Sequence, residues 1–205
     1  CLELGYGGMG VVAQNHHVAP VHPEYADIGG TPYDPVRARA LMEEAGMADF
    51  EHEIVTLDDG YTMRTGDTAA ALLNDAGIKV RRKIVPGSTF WNSWSDYPLS
   101  ISEWNHRPLG VQVLALAYRS GAVWNESGYA NPAFDAALDE ALSIADADSR
   151  REIMVRLETM LQEDAVIVQP FWRVLYRHAR PEVLGAEMHP SFEIHPYRLG
   201  LSAAL

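Results

Sequence analysis

The sequence predicts an α/β domain. Three observations carry the prediction. Hydrophobic spacing switches between the helical and the strand period along the middle of the chain. A strand–helix–strand unit occupies residues 51 to 85, and two long amphipathic helices follow between 131 and 164.

The elements read as follows. Residues 1–30 are rich in Gly, Pro and His without a sustained helical period, and predict loop and short extended pieces. The first helix lies in "YDPVRARALMEEAG". Asp34 can cap it and Pro35 suits its first position; Ala38, Leu41, Met42 and Ala45 form its apolar face, and Gly46 stops it. "EHEIVTL" (51–57) is a strand. A helix with Ala69, Leu72, Leu73 and Ala76 on one face then runs to Gly77. "IKVRRKIV" (78–85) alternates Ile78, Val80 and Ile84 against charge, so the unit is βαβ with a right-handed crossover expected.

A short helix in "STFWNSWSDY" and a strand "LSISEW" (99–104) come next, then an irregular stretch. Asn131-Pro132 opens a helix with Phe134, Ala137, Leu138, Ala141 and Ala145 inward. Ser149 and Glu152 predict a capping box for the last helix, which buries Ile153, Leu157, Met160 and Leu161. Its Glu152 and Arg156 are spaced as an i,i+4 pair. "VIVQPFWRVLY" (166–176) reads as a final strand interrupted by Pro170, before a Pro- and His-rich tail.

Composition excludes several functions. With 16 basic and 28 acidic residues the net charge is −12, a field that repels nucleic acid, and no basic stripe offsets it. No run of eighteen apolar residues exists to span a membrane. The one cysteine, Cys1, allows neither an internal disulfide nor a zinc site built on two thiolates. It fits a lipidated mature terminus, but the simpler expectation is that the chain is a piece of a longer one.

Catalytic and metal motifs are weak. Gly5, Gly7 and Gly10 match G-x-G-x-x-G, yet "VVAQNHHVAPVHP" behind them has no helical period to bring a helix terminus onto a phosphate. His16 and His17 are adjacent, so in an extended segment they face opposite sides; with His22 they show no chelating spacing. No nucleophile elbow appears, and Asp58-Asp59 reads as a solvated loop. No catalytic residue, cofactor or metal is expected. A metal- or nucleotide-dependent enzyme using the Gly5–Gly10 loop with His16 and His22 remains the competing reading.

The stretch that suggests binding is "EWNHRP" (103–108), together with "VWNESGY" (123–129). Each sets a Trp beside an Asn and charged groups after an apolar segment. Trp104 and Trp124 supply apolar walls, Asn105 and Asn125 hydrogen bonds, and Arg107 a permanent charge, flanked by His106 and Glu126. A guanidinium enclosed in a cleft needs an anion, which is Glu103, Glu126 or the ligand itself.

In order and spacing, "YDPVRARALMEEAG", "LLNDAGIKV", the Trp-bearing strand end, "GYANPAFDAALDEALSIADADSRREIMVRLETMLQEDAVIVQPFW" and "EVLGAEMHP" resemble the C-terminal portion of the peptide/nickel class (family 5) of extracytoplasmic solute-binding proteins. The resemblance implies a periplasmic-binding-protein type II lobe, a mixed sheet flanked by helices. Residues 31–176 are then the second lobe of a two-lobed receptor, after an irregular lead-in of 1–30, and 177–205 cross back to the first lobe. It further implies a small solute, peptide or other, captured between lobes and passed to an ABC permease, in the periplasm or from a lipid anchor, without enzymatic chemistry. A sensor lobe that does not transport is a third reading. One departure stands out. Peptide-binding members carry Trp-x-x-Asp where this chain reads Trp104-Asn105-His106-Arg107, which opens the cargo to a nickel complex, a sugar or an opine-like anion.

Overall fold

The computed structural model describes residues 1–189 and 191–202. Helix α1 (Leu2–Tyr6) ends at Gly7, whose φ of 64° is the left-handed stop that glycine adopts without strain. Strand β1 (Gly10–Val12) follows, then a long loop to α2 (Pro35–Glu44), capped by the Asp34 carboxylate on the Arg37 N–H at 2.8 Å. Although α2 forms where its signals predict, none of its residues is buried and Leu41 is exposed.

The βαβ unit is β2 (His52–Leu57), α3 (Gly60–Asp75) and β3 (Val80–Val85), with β2 and β3 parallel and paired from His52↔Val80 to Leu57↔Val85. Asp59 is no idle loop acid: it caps α3 through the Thr62 N–H at 3.2 Å. On the edge strand β3, Val80 and Val85 are buried while Ile84 is exposed, which departs from the alternation the sequence suggested. After α4 (Gly87–Asn92), strand β4 (Ser100–Ile101) joins β2 on its other side, also parallel, giving the order β3-β2-β4.

Helix α5 (Gly110–Ala117) occupies the stretch the sequence left irregular. "GVQVLALA" is apolar nearly all round, and a helix buried on most sides shows no amphipathic period. Helix α6 (Pro132–Ser143) starts at the expected Asn131 cap but ends before Ala145. Helix α7 (Ala147–Glu163) starts earlier than Ser149. Asp146 caps it instead, accepting from the Ser149 N–H at 2.8 Å, so the predicted capping box is replaced by a carboxylate nearer the turn. Arg156 pairs with Glu140 of α6 at 2.8 Å rather than within its own helix.

Only Phe171–Arg173 of the predicted 166–176 segment becomes a strand, β5, antiparallel to β1. Strands β6 (Val183–Leu184) and β7 (Gly200–Leu201) pair antiparallel in the tail, around a 3-10 turn at Pro196–Arg198. Parallel and antiparallel pairing thus both occur, in separate small sheets. Among the described residues no helix is long and apolar enough to cross a membrane.

The largest core cluster unites α5, α6 and α7 through Leu114, Phe134, Leu138, Met154, Leu157 and Leu161. Val18 of the lead-in loop, fully buried, enters the same cluster. The loop is anchored by charge as well. Buried Glu24 accepts from the Val111 N–H at the start of α5 at 3.1 Å and lies 3.4 Å from Arg150. Arg150 in turn donates to the Ala141 and Ile144 carbonyls at 3.0 Å each, satisfying the open end of α6. A smaller cluster of Val55, Leu57, Val85 and Phe90 holds the sheet to α4.

Candidate ligand-binding cavity

Strand β4 delivers the chain to the cavity. Parallel to β2, it stops at Ile101, and residues 102–107 continue as irregular backbone from its carboxyl end, where open α/β sheets place ligands. There Ser102 to His106 line a cavity of about 590 Å³, a size fit for a small molecule.

One wall is aromatic. The Trp104 ring meets Trp124 edge to face at 6.1 Å, with Trp94 at 6.3 Å and His17 at 5.6 Å. Glu126 is fixed against this wall. Its Oε1 accepts from Trp104 Nε1 at 2.8 Å and from Ser102 Oγ at 2.7 Å. Burial raises its pKa, and the two hydrogen bonds only partly offset that shift. Among the described residues no cation lies within ion-pair distance of Glu126. It faces the cavity with two neutral donors and no countercharge.

The loop bearing Glu126 is held by its neighbour. Asn125 Nδ2 donates to the Arg119 carbonyl at 3.1 Å and the Tyr129 carbonyl at 2.8 Å. The amide expected to read ligand therefore closes a loop.

An ion pair also lines the cavity. Arg173 of β5 lies 3.0 Å from Glu103 and 4.9 Å over the Tyr61 ring, while the Tyr61 hydroxyl donates to the same carboxylate. Burial, followed by the hydrogen bond to Glu103, pushes the Tyr61 pKa far up, so the phenol stays protonated. Glu103 is thus committed to Arg173, not to Arg107.

Of the seven residues singled out from sequence, Trp104, Asn105, His106 and Glu126 line the cavity; Trp124 is outside the lining and meets Trp104 edge to face. Arg107 is outside the lining. Its guanidinium donates to the Asn105 and His106 carbonyls at 3.1 and 3.2 Å, and neither Glu103 nor Glu126 is its partner. His106 stacks on His22 at 5.0 Å. Burial, then the charges of His22 and Arg107, lower its pKa to about 4, so it is neutral near pH 7.

Tyr61, His17 and Arg173 were missed. Arg173 had a legible signal, a lone charge inside the apolar run "PFWRVLY". The other two had none, because they reach the cavity only through folding from distant segments.

The glycine and histidine motifs of the lead-in have structural roles. Gly5 lies inside helix α1 and Gly7 ends it, whereas a phosphate loop needs a helix that starts after the glycines. A Cβ on Gly10 would sit 2.4 Å from the Trp172 carbonyl oxygen, and one on Gly5 2.6 Å from Thr65 Oγ1, so close packing explains both. His22 is clamped between the Ala19 N–H on Nδ1 (2.8 Å) and the Arg107 carbonyl on Nε2 (3.0 Å). His17 Nδ1 and the Tyr118 hydroxyl share a hydrogen bond of 2.8 Å. His16 is fully buried beside Glu158, not at the surface.

Comparison with known proteins follows the same direction. The family model described as bacterial extracellular solute-binding proteins, family 5 (middle) matches residues 2–126, more than half of the chain. Among solved structures, the murein tripeptide binding protein MppA of Escherichia coli superposes with a TM-score of 0.83 at 17% identity, over 98% of this chain and 42% of that one. The oligopeptide-binding protein AppA of Bacillus subtilis, in complex with a nonapeptide, gives 0.79 at 16% identity, over 98% and 44%. DppA of Helicobacter pylori, in complex with the peptide STSA, gives 0.78 at 18%, over 98% and 41%. The chain therefore spans less than half the length of the structures it resembles. No curated protein sequence matches it.

Proposed function

The chain belongs to the bacterial extracellular solute-binding proteins of family 5, and from that premise we propose that it is one lobe of a two-lobed receptor serving an ABC importer. The receptor works outside the cytoplasm, in the periplasm or on a lipid anchor. Its cargo is a small polar solute held against this lobe's cavity and delivered to the permease. In this reading residues 31–176 form the ligand-binding lobe, to which the lead-in adds β1 and Val18, and the tail from 177 returns toward the other lobe.

The observation that carries the cargo class is Glu126. A half-buried carboxylate with only neutral donors is incompletely compensated, and a ligand cation is the partner that completes it. Trp104 gives the same cation an aromatic face. We therefore infer a solute bearing an amine or guanidinium, with short peptides as the first class to test because several structural relatives are peptide binders.

Calorimetry on the protein as its host makes it tests this, with matched short peptides carrying free or acetylated amino termini. Free amines are expected to bind tighter, and Glu126→Gln to weaken them by about 2–5 kcal/mol while leaving the acetylated set unchanged. Equal affinity for both sets in the wild-type protein would overturn the cationic-cargo reading.

A further inference from the structure

The tail contains one group of side chains with no role in the cavity. His189, Glu193 and His195 each offer a ligand atom, and these atoms lie within 4.8 Å of one another. His195 Nε2 and Glu193 Oε2 are already 3.5 Å apart. No motif marks this group, since the spacing i, i+4, i+6 converges only if the backbone folds back between them.

The backbone does fold back. The Phe192 N–H donates to the His189 carbonyl at 2.9 Å, and Phe192 takes a φ of 60°, a left-handed conformation a bulky residue rarely adopts. Arg177 clamps the turn from outside, donating to the Glu187 carbonyl at 3.1 Å and the Glu193 carbonyl at 2.9 Å. The Arg198 N–H closes the far side on the His195 carbonyl at 2.9 Å. Three donors are thus held on one short, braced loop.

We propose that His189, Glu193 and His195 form a binding site for a divalent transition-metal ion of the Zn²⁺ type, distinct from the ligand cavity. Two imidazoles and a carboxylate suit ions of intermediate softness, and three protein ligands leave a coordination position for water. With metal–ligand bonds of about 2.0–2.2 Å, tetrahedral geometry sets donor atoms about 3.4 Å apart. The Glu193–His195 pair already meets that spacing, and His189 closes the remainder by side-chain rotation.

Ligation has one local cost. His189 Nδ1 accepts from the Ser191 N–H at 3.1 Å. Binding at Nδ1 displaces that donor, and binding at Nε2 moves the ring proton onto Nδ1, so either mode exchanges this hydrogen bond for a metal bond. The ion would also fix the turn that carries Phe192, which lines the cavity and packs on His106 at 6.3 Å.

The test is calorimetric titration of Zn²⁺ into the protein as its host makes it, purified without a histidine tag and stripped of metal, near pH 7.5. One equivalent is expected to bind. His189→Ala and His195→Ala should each weaken it at least about tenfold, since loss of even an outer-sphere partner costs that much. Glu193→Gln should weaken it as well, and His178→Ala in the same tail should not. These side chains lie outside the buried clusters, and unchanged circular dichroism checks that the variants fold. Absence of stoichiometric binding, or wild-type affinity in the His189→Ala/His195→Ala double variant, would overturn the proposal.

Discussion

Replacing Glu158 with glutamine isolates the most strained ionisable group in the core. Glu158 is fully buried on α7, and neither of its oxygens has a hydrogen-bond partner among the described residues. His16 Nε2 lies 3.8 Å from its Oε2, too far for a hydrogen bond. Burial first, and then the charge of Glu24, raise its pKa to about 9. His16 cannot rescue it as a cation, because burial and the charge of His22 lower its own pKa to about 4.

The sign follows from linkage. The unfolded carboxyl ionises near its ordinary value of 4.5 while the folded one keeps its proton to about 9, so folding takes up a proton between those limits. Stability from this group therefore falls as pH rises through that window, by about 1.4 kcal/mol per unit at most. Glutamine preserves the shape and does not ionise. The stability of Glu158→Gln relative to wild type should grow with pH, by roughly 2–3 kcal/mol between pH 5.5 and 8. The difference between the two proteins cancels the opposing histidine contributions. Urea unfolding followed by tryptophan fluorescence at four pH values measures it. A difference that stays flat across this range would mean Glu158 is ionised in the fold, beside an imidazolium His16, and would refute the reasoning.

Two further outcomes are expected. A Cβ on Gly110 would lie 2.7 and 2.9 Å from the methyl carbons of fully buried Val18, which has no room to yield. Gly110→Ala should cost about 1–3 kcal/mol in urea unfolding, and a neutral result would show that the lead-in loop is not packed under α5. Arg107 bonds to its own neighbours' carbonyls outside the cavity lining, so Arg107→Ala should change cargo affinity less than about threefold, within the range of a rim contact worth under 1 kcal/mol. A loss of hundredfold would return Arg107 to the ligand.

Much of the fold was legible because its signals are local. Asp34-Pro35, Gly46, Gly77 and Asn131-Pro132 mark helix ends through their own backbone and side-chain chemistry, and α2, α3 and α6 end or begin there. Helix α5 was not legible, because burial on most sides erases the amphipathic period. The strand at 166–176 was overestimated. Apolar residues there are shared between pairing with β1 and packing on the helices, and only three gain a partner strand.

The site divides the same way. From sequence alone came the α/β class, the family resemblance and the segment 103–108, whose Trp104, Asn105 and His106 do line the cavity. Partnerships were decided only by the tertiary structure. Glu103 goes to Arg173 across seventy positions of sequence, Glu126 goes to Trp104 and Ser102, and Arg107 is left to carbonyls. The lead-in shows the same limit. His16, His22 and Glu24 look like loop polarity in the sequence, yet all three are buried: Glu24 against α5 and α7, His16 beside Glu158 of α7, and His22 on the Arg107 carbonyl. Caps and periods act within a few residues and can be read along the chain. A charge instead pairs with whatever the fold brings within about 4 Å, and that distance does not exist until the chain has closed on itself.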